Sequence, residues 1–153
     1  MHTLFLSKEG NVFACGTNYS GQLGNGTKDN SNSTVVRYPA YVMKTATERL
    51  TNIIQVEAAT FCSLFLQGDG KVLGCGRNDS GIFGGTVPND WNSFPDYTYP
   101  IYIKGLQNED LTNIIQISAN KSRDALYNGY GAGAGNYALF LQKDGKVLAY
   151  GGN

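Results

Sequence analysis

The chain has 153 residues, 41% hydrophobic and 12% aromatic, enough for a folded domain and too apolar for a disordered chain. Twelve basic residues balance twelve acidic ones, so no net field gathers nucleic acid or an anionic membrane surface. No apolar run approaches the ~20 residues of a spanning helix, which argues against membrane insertion, and the opening "MHTLFLSKEG" lacks the basic start and long apolar core of a secretion signal.

In chain order, the first apolar run is "TLFLS", followed by Glu9-Gly10 and "NVFACG". A carboxylate residue with glycine between two apolar runs is a hairpin turn, because glycine accepts positive φ without cost, so strands are predicted at 3–7 and 11–16. A glycine-rich turn, "NYSGQLGNG", leads to "YPAYVMK", whose proline suits a strand start or an edge. "TATERL" can form one helical turn, and no longer stretch has helical periodicity.

"LTNIIQV" from Leu50 opens a second unit, with a hairpin predicted at 62–67 and 71–76 about Asp69-Gly70. It is followed by the long connection "TVPNDWNSFPDYTYP" (86–100) and the strand "YPIYIKG". "LTNIIQI" from Leu111 opens a third unit, whose hairpin is predicted at 137–142 and 146–151 about Asp144-Gly145. Gly16, Gly76 and Gly151 close the three hairpins at spacings of 60 and 75 residues, so the last unit carries an insertion, placed at 120–136. The apolar triplets do not alternate strictly, as expected where neighbouring sheets cover both faces. Units of about 60 residues with four short strands are the signature of a β-propeller.

The combination of Gly10, Val12, Gly16, Asn18, Gly21, Gln22, Leu23 and Gly24 resembles the repeat of the regulator of chromosome condensation family. The second unit keeps Gly70, Gly76, Asn78, Gly81 and Gly84, with Ile82-Phe83 where Gln-Leu is usual, and the third keeps Gly145 and Gly151. The usual tryptophan is replaced by Cys15, Cys75 and Tyr150, which marks a divergent member. The resemblance implies an all-β fold of four-stranded antiparallel blades in a seven-bladed ring, roughly 400 residues in all. About two and a half blades are expected here: 1–49 without a first strand, 50–110 complete, and 111–153 with the insertion and a truncated end. The expectation is a partial ring, a fragment or a subunit whose open faces meet further blades or another protein.

No cofactor or metal site is expected. The run "GYGAGAGN" (129–136) leads into a strand rather than opening a helix, so it reads as an insertion and not as a dinucleotide loop. "DNSNST" (29–34) lacks the glycine and final glutamate of a calcium loop. The Asn-x-Ser/Thr triplets at Asn18, Asn25, Asn32, Asn78 and Asn120 read as chance in an asparagine-rich sequence. His2 is the only histidine, which excludes paired-histidine metal sites and argues against acid-base catalysis. Cys15, Cys62 and Cys75 lack zinc spacing and read as reduced thiols packed in the interior of a cytoplasmic protein.

Function is therefore sought where the repeat breaks, at 86–99 and 120–136, whose aromatic residues Trp91, Phe94, Tyr97, Tyr99, Tyr127 and Tyr130 are candidate partner contacts. The competing structural role is that they cover their own blade. The leading reading is a non-enzymatic scaffold that binds a protein through these loops. The family resemblance also implies two alternatives, a guanine-nucleotide exchange regulator of a small GTPase and an enzyme-inhibitor or lectin-like surface binder.

Overall fold

The computed structural model describes residues 1–29, 35–78, 81–84, 95–120 and 137–151. Ten strands make up three antiparallel sheets: β1 (His2–Leu6), β2 (Val12–Thr17) and β3 (Val35–Tyr41); β4 (Ile53–Ala58), β5 (Cys62–Gln67), β6 (Val72–Arg77) and β7 (Asp96–Tyr102); β8 (Ile114–Ala119), β9 (Tyr137–Gln142) and β10 (Val147–Gly151). Each sheet is a meander in which sequential strands are neighbours, and among the described residues there is no helix. This is the architecture of propeller blades side by side in an open arc.

The hairpins form where the carboxylate-glycine pairs stand. Gly10 N–H donates to Ser7 C=O, Gly70 to Gln67 and Gly145 to Gln142, all at 3.0 Å, with φ of 79°, 84° and 86°. Downstream, each long hairpin strand reaches Gly16 or Gly76, where a bulge drops Cys15 or Cys75 out of register with the outer strand. The bulge has the same place in both units, so it belongs to the blade design and bends the outer strand around the edge.

Two apolar cores lie between the sheets. Val12, Leu23, Val42, Leu50, Ile53, Phe65 and Leu73 fill the gap between the first and second blades. Leu64, Leu66, Val72, Phe83, Ile103, Ile114 and Phe140 fill the gap between the second and third. Burying each of these large side chains contributes roughly 1.5–3 kcal/mol. Sandwiched between both gaps, β5 is buried through five consecutive residues, whereas "YALFLQ" of β9 alternates exposed and buried over its first four residues because one face is covered. The same apolar triplet thus reads as continuous or alternating according to its neighbours.

Polar links also join the blades. The Gln55 amide reaches across to Ile117, donating to its C=O at 2.6 Å and accepting its N–H at 2.9 Å. Each hairpin turn docks on the start of the following blade, with Ile53 N–H donating to Gly10 C=O at 3.1 Å and Ile114 N–H to Gly70 C=O at 3.0 Å.

Two sequence expectations change. "TATERL" is not helical: residues 45–48 form bends, closed by the Met43↔Arg49 bridge and a bond from Lys44 N–H to Glu48 C=O at 2.7 Å. The connection expected over 86–99 ends earlier, because β7 begins at Asp96 and takes Tyr97 and Tyr99 into a strand. The prolines also do not start strands: Pro39 and Pro100 lie inside β3 and β7, the outermost strands of their sheets, where the missing N–H breaks no ladder bond toward a further strand.

Candidate functional site

Antiparallel meanders put the connections 18–34, 59–61, 78–95 and 120–136 at one end of the sheets. That end is a rim on which both repeat-breaking segments are rooted. The first leaves β6 and returns at Asp96, which is paired in register with Arg77. The second leaves β8 and returns at Tyr137, where Asn120 N–H donates to the Tyr137 C=O at 3.1 Å and the Asn120 side chain accepts the Tyr137 N–H at 2.9 Å. Each root is therefore fixed by hydrogen bonds. Trp91, Phe94, Tyr127 and Tyr130 themselves lie outside the described residues, as does the glycine run 129–136.

Tyr97 and Tyr99 are half-buried in β7. Tyr97 meets Phe83 edge-on with ring centroids 5.8 Å apart, and the Tyr99 ring closes over Gly26, leaving no room for a Cβ there. Both rings cover blade surface. The repeated asparagines are staples: Asn18 Oδ1 accepts the Leu23 N–H at 3.0 Å, and Asn78 Oδ1 accepts the Phe83 N–H at 2.9 Å. Their burial removes Asn18 and Asn78 from the set of accessible glycosylation acceptors.

Between these roots stands a cluster that sequence reasoning missed. The Arg77 guanidinium lies 5.4 Å from the Phe61 ring and 5.8 Å from the Tyr19 ring, and 3.6 Å from Asp96. Asp96 also accepts from Lys28 at 3.0 Å. Tyr19 is 41% exposed, and Arg77 keeps a quarter of its side chain in solvent. The residues come from two blades and three connections, so no single segment carries a motif. The only signal available was that Arg77 and Asp96 flank the long connection. Chemically this is a planar cation held against aromatic faces, a surface suited to contact with another protein.

Elsewhere the titratable groups serve the scaffold. Burial, with the Cys62 sulfur nearby, pushes the Cys75 thiol far above its ordinary range, and all three cysteines are free thiols. A hydrogen bond from Lys104, reinforced by Lys71, holds the Asp110 carboxyl below its usual value. Among the described residues no three His, Cys, Asp or Glu side chains gather to hold a metal, and no helix is long and apolar enough to cross a membrane.

The blades and their repeated turns define a partial β-propeller of glycine-punctuated repeats. Residues 9–66 match the regulator of chromosome condensation (RCC1) repeat, and the chain is a divergent, partial RCC1-repeat protein. Its fold is similar to that of human WBSCR16, with a TM-score of 0.68, 20% identity, and coverage of 98% of this chain and 30% of that one. It is also similar to Prp20p from Saccharomyces cerevisiae, studied with its binding to Gsp1p and histones (TM-score 0.59, 20% identity, 98% and 31% coverage). A third similar structure is yeast RCC1 (Prp20) bound to Kap60 (TM-score 0.57, 18% identity, 98% and 30% coverage). The chain spans about 30% of the length of these structures. No curated protein sequence matches it.

Proposed function

We propose that this chain is a non-enzymatic propeller segment that binds a protein partner through the rim carrying its irregular connections. The observation that supports this reading most is the Arg77 cluster, which places a partly exposed guanidinium, Tyr19 and Phe61 between the roots of the two segments that break the repeat. Arginine and tyrosine are the residue types that most often anchor protein interfaces. In this reading Trp91, Phe94, Tyr127 and Tyr130 add anchors from the connections, and Tyr97 and Tyr99 support them from β7. The proposed units are 1–49, 50–110 and 111–153, and further blades or another polypeptide complete the ring. Affinity purification with the intact chain, repeated with Arg77→Ala, tests the reading: a partner retained by the parent and lost by the variant supports it.

A second reading, regulation of nucleotide exchange on a small GTPase, is favoured by the likeness to Prp20p, whose binding to Gsp1p is described. A nucleotide-release assay against small GTPases separates the two, since the scaffold reading expects no acceleration of release.

A further inference from the structure

β7 is held between two walls. On one side it pairs with β6, with Ile101 opposite Gly74 and Tyr102 opposite Leu73. On the other it is met by the glycine turn of the preceding blade, where Gly26 N–H donates to the Thr98 C=O at 2.9 Å. A Cβ at Gly21 would stand 3.1 Å from the Thr98 Cα, and one at Gly24 would stand 3.5 Å from the Pro100 ring. Glycine is used at these positions because the strand passes so close.

The same two walls recur one blade further on. Gly81 and Gly84 repeat Gly21 and Gly24, with φ of 70° and 74° against 80° and 61°, and Ala149 and Tyr150 of β10 take the places of Gly74 and Cys75. Between them, with Lys104 and Asn108 also lining it, runs a groove of about 860 Å³. Among the described residues β10 is the edge of its sheet, with no strand on its outer side.

We propose that this groove is a docking site for an extended segment carrying Tyr-Pro-x-Tyr, added as a fourth strand to β10. The chain contains two strands that already lie beside the equivalent edge, and both carry this sequence: Tyr38-Pro39-Ala40-Tyr41 in β3 and Tyr99-Pro100-Ile101-Tyr102 in β7. In each, the residue after proline faces a small residue, Ala14 or Gly74, and the final tyrosine faces Phe13 or Leu73. Transferred to β10, x lies opposite Ala149 and the last tyrosine opposite Leu148. Main-chain bonds to the free edge supply affinity, the proline costs nothing on an outer strand, and the glycine wall selects for the close approach. A second copy of the chain does not meet these needs intact, because its β3 and β7 already use their inner edges on β2 and β6. The occupant is therefore a separate Tyr-Pro-x-Tyr segment, and the site is distinct from the rim.

The test is a titration of the intact chain with a fluorescent peptide of the sequence of residues 96–102, Asp-Tyr-Thr-Tyr-Pro-Ile-Tyr, followed by anisotropy and by backbone amide shifts. Saturable one-to-one binding is expected, with shifts at 148–151 and at Gly81 and Gly84. Replacing the peptide's first Tyr-Pro tyrosine by alanine, or making Ala149→Lys on the exposed edge of the protein, should each weaken binding roughly tenfold. Absence of saturation at millimolar peptide overturns the proposal. So do shifts confined to β6, which would mean the peptide displaced β7, and dimerisation through an exchanged β3, which would make a second copy the occupant.

Discussion

The Nε2 atom of His2 stands 2.7 Å from the Ser63 hydroxyl of the neighbouring blade, and that hydroxyl donates to the Gln22 carbonyl at 2.7 Å. A serine has one hydroxyl proton, spent here on Gln22, so the imidazole is the donor in the first bond. One blade on, the equivalent positions are Cys62, Ala138 and Ile82, all fully buried in the apolar core. A polar triple has become an apolar triple as a unit. This is the physical content of the divergence: a lone Ala in place of Ser63 would strand its partners, whereas three matched changes leave nothing unpaired.

That relationship can be measured. Ser63→Ala should destabilise the chain by about 1–3 kcal/mol in urea unfolding, because the Gln22 carbonyl loses its hydroxyl donor in a buried site. Adding His2→Cys and Gln22→Ile should recover part of the loss. Strict additivity of the three changes would show that the triple does not act as a unit.

Two glycines separate backbone strain from collision. Gly76 has φ 101°, and a Cβ there would lie 2.7 Å from the Cys62 Cα across the hairpin, so Gly76→Ala should cost more than about 3 kcal/mol. Gly145 has φ 86° with nothing within 4 Å of an added Cβ, so Gly145→Ala should cost only about 1 kcal/mol. Thermal or urea unfolding of the two variants checks the order; equal costs would contradict it.

The thiols should differ in reactivity. Cys62 and Cys75 are fully buried, and burial holds the Cys75 thiol protonated, while Cys15 is partly open to solvent. Titration of the native chain with a disulfide reagent at mild alkaline pH should modify Cys15 alone, and unfolding should release all three. Rapid labelling of Cys75 in the native state would contradict the packing described.

Acid should expose the Asp110 contacts. Its carboxyl is held below the ordinary value of 3.8 by the hydrogen bond from Lys104 at 2.7 Å and then by Lys71 at 3.3 Å. A depressed carboxylate pKa contributes stability that is present above its unfolded value and lost as pH falls through the folded one. The group is partly exposed, so the effect is small. Asp110→Asn should therefore lower stability slightly at neutral pH and reduce its loss below about pH 4, as read by unfolding at several pH values.

The hairpins were legible because their signal is local: residues 62–67 and 137–142 form strands with the expected bounds, and the glycine after each carboxylate makes the turn. The start of β7 was not, since Asp96 to Tyr99 are held by the β6 bulge and by Gly26, which lie 20 or more residues away in sequence. "TATERL" has helical composition, but the Met43↔Arg49 bridge closes it as a loop, so tertiary pairing overrides propensity. The Arg77 cluster was invisible for the same reason, being assembled from Tyr19, Phe61, Arg77 and Asp96 in separate connections.

The most direct measurement of the central claim is the binding of a captured partner to the intact chain and to a Tyr19→Ala, Arg77→Ala variant, with unfolding stability recorded alongside. Rim binding predicts a loss of affinity of about 1–3 kcal/mol, with stability changed by less than about 1 kcal/mol, and a similar loss from Tyr127→Ala or Tyr130→Ala. Unchanged affinity in all of these variants, with binding abolished instead by a change at a distant blade surface such as Tyr38, would contradict the assignment of function to the rim.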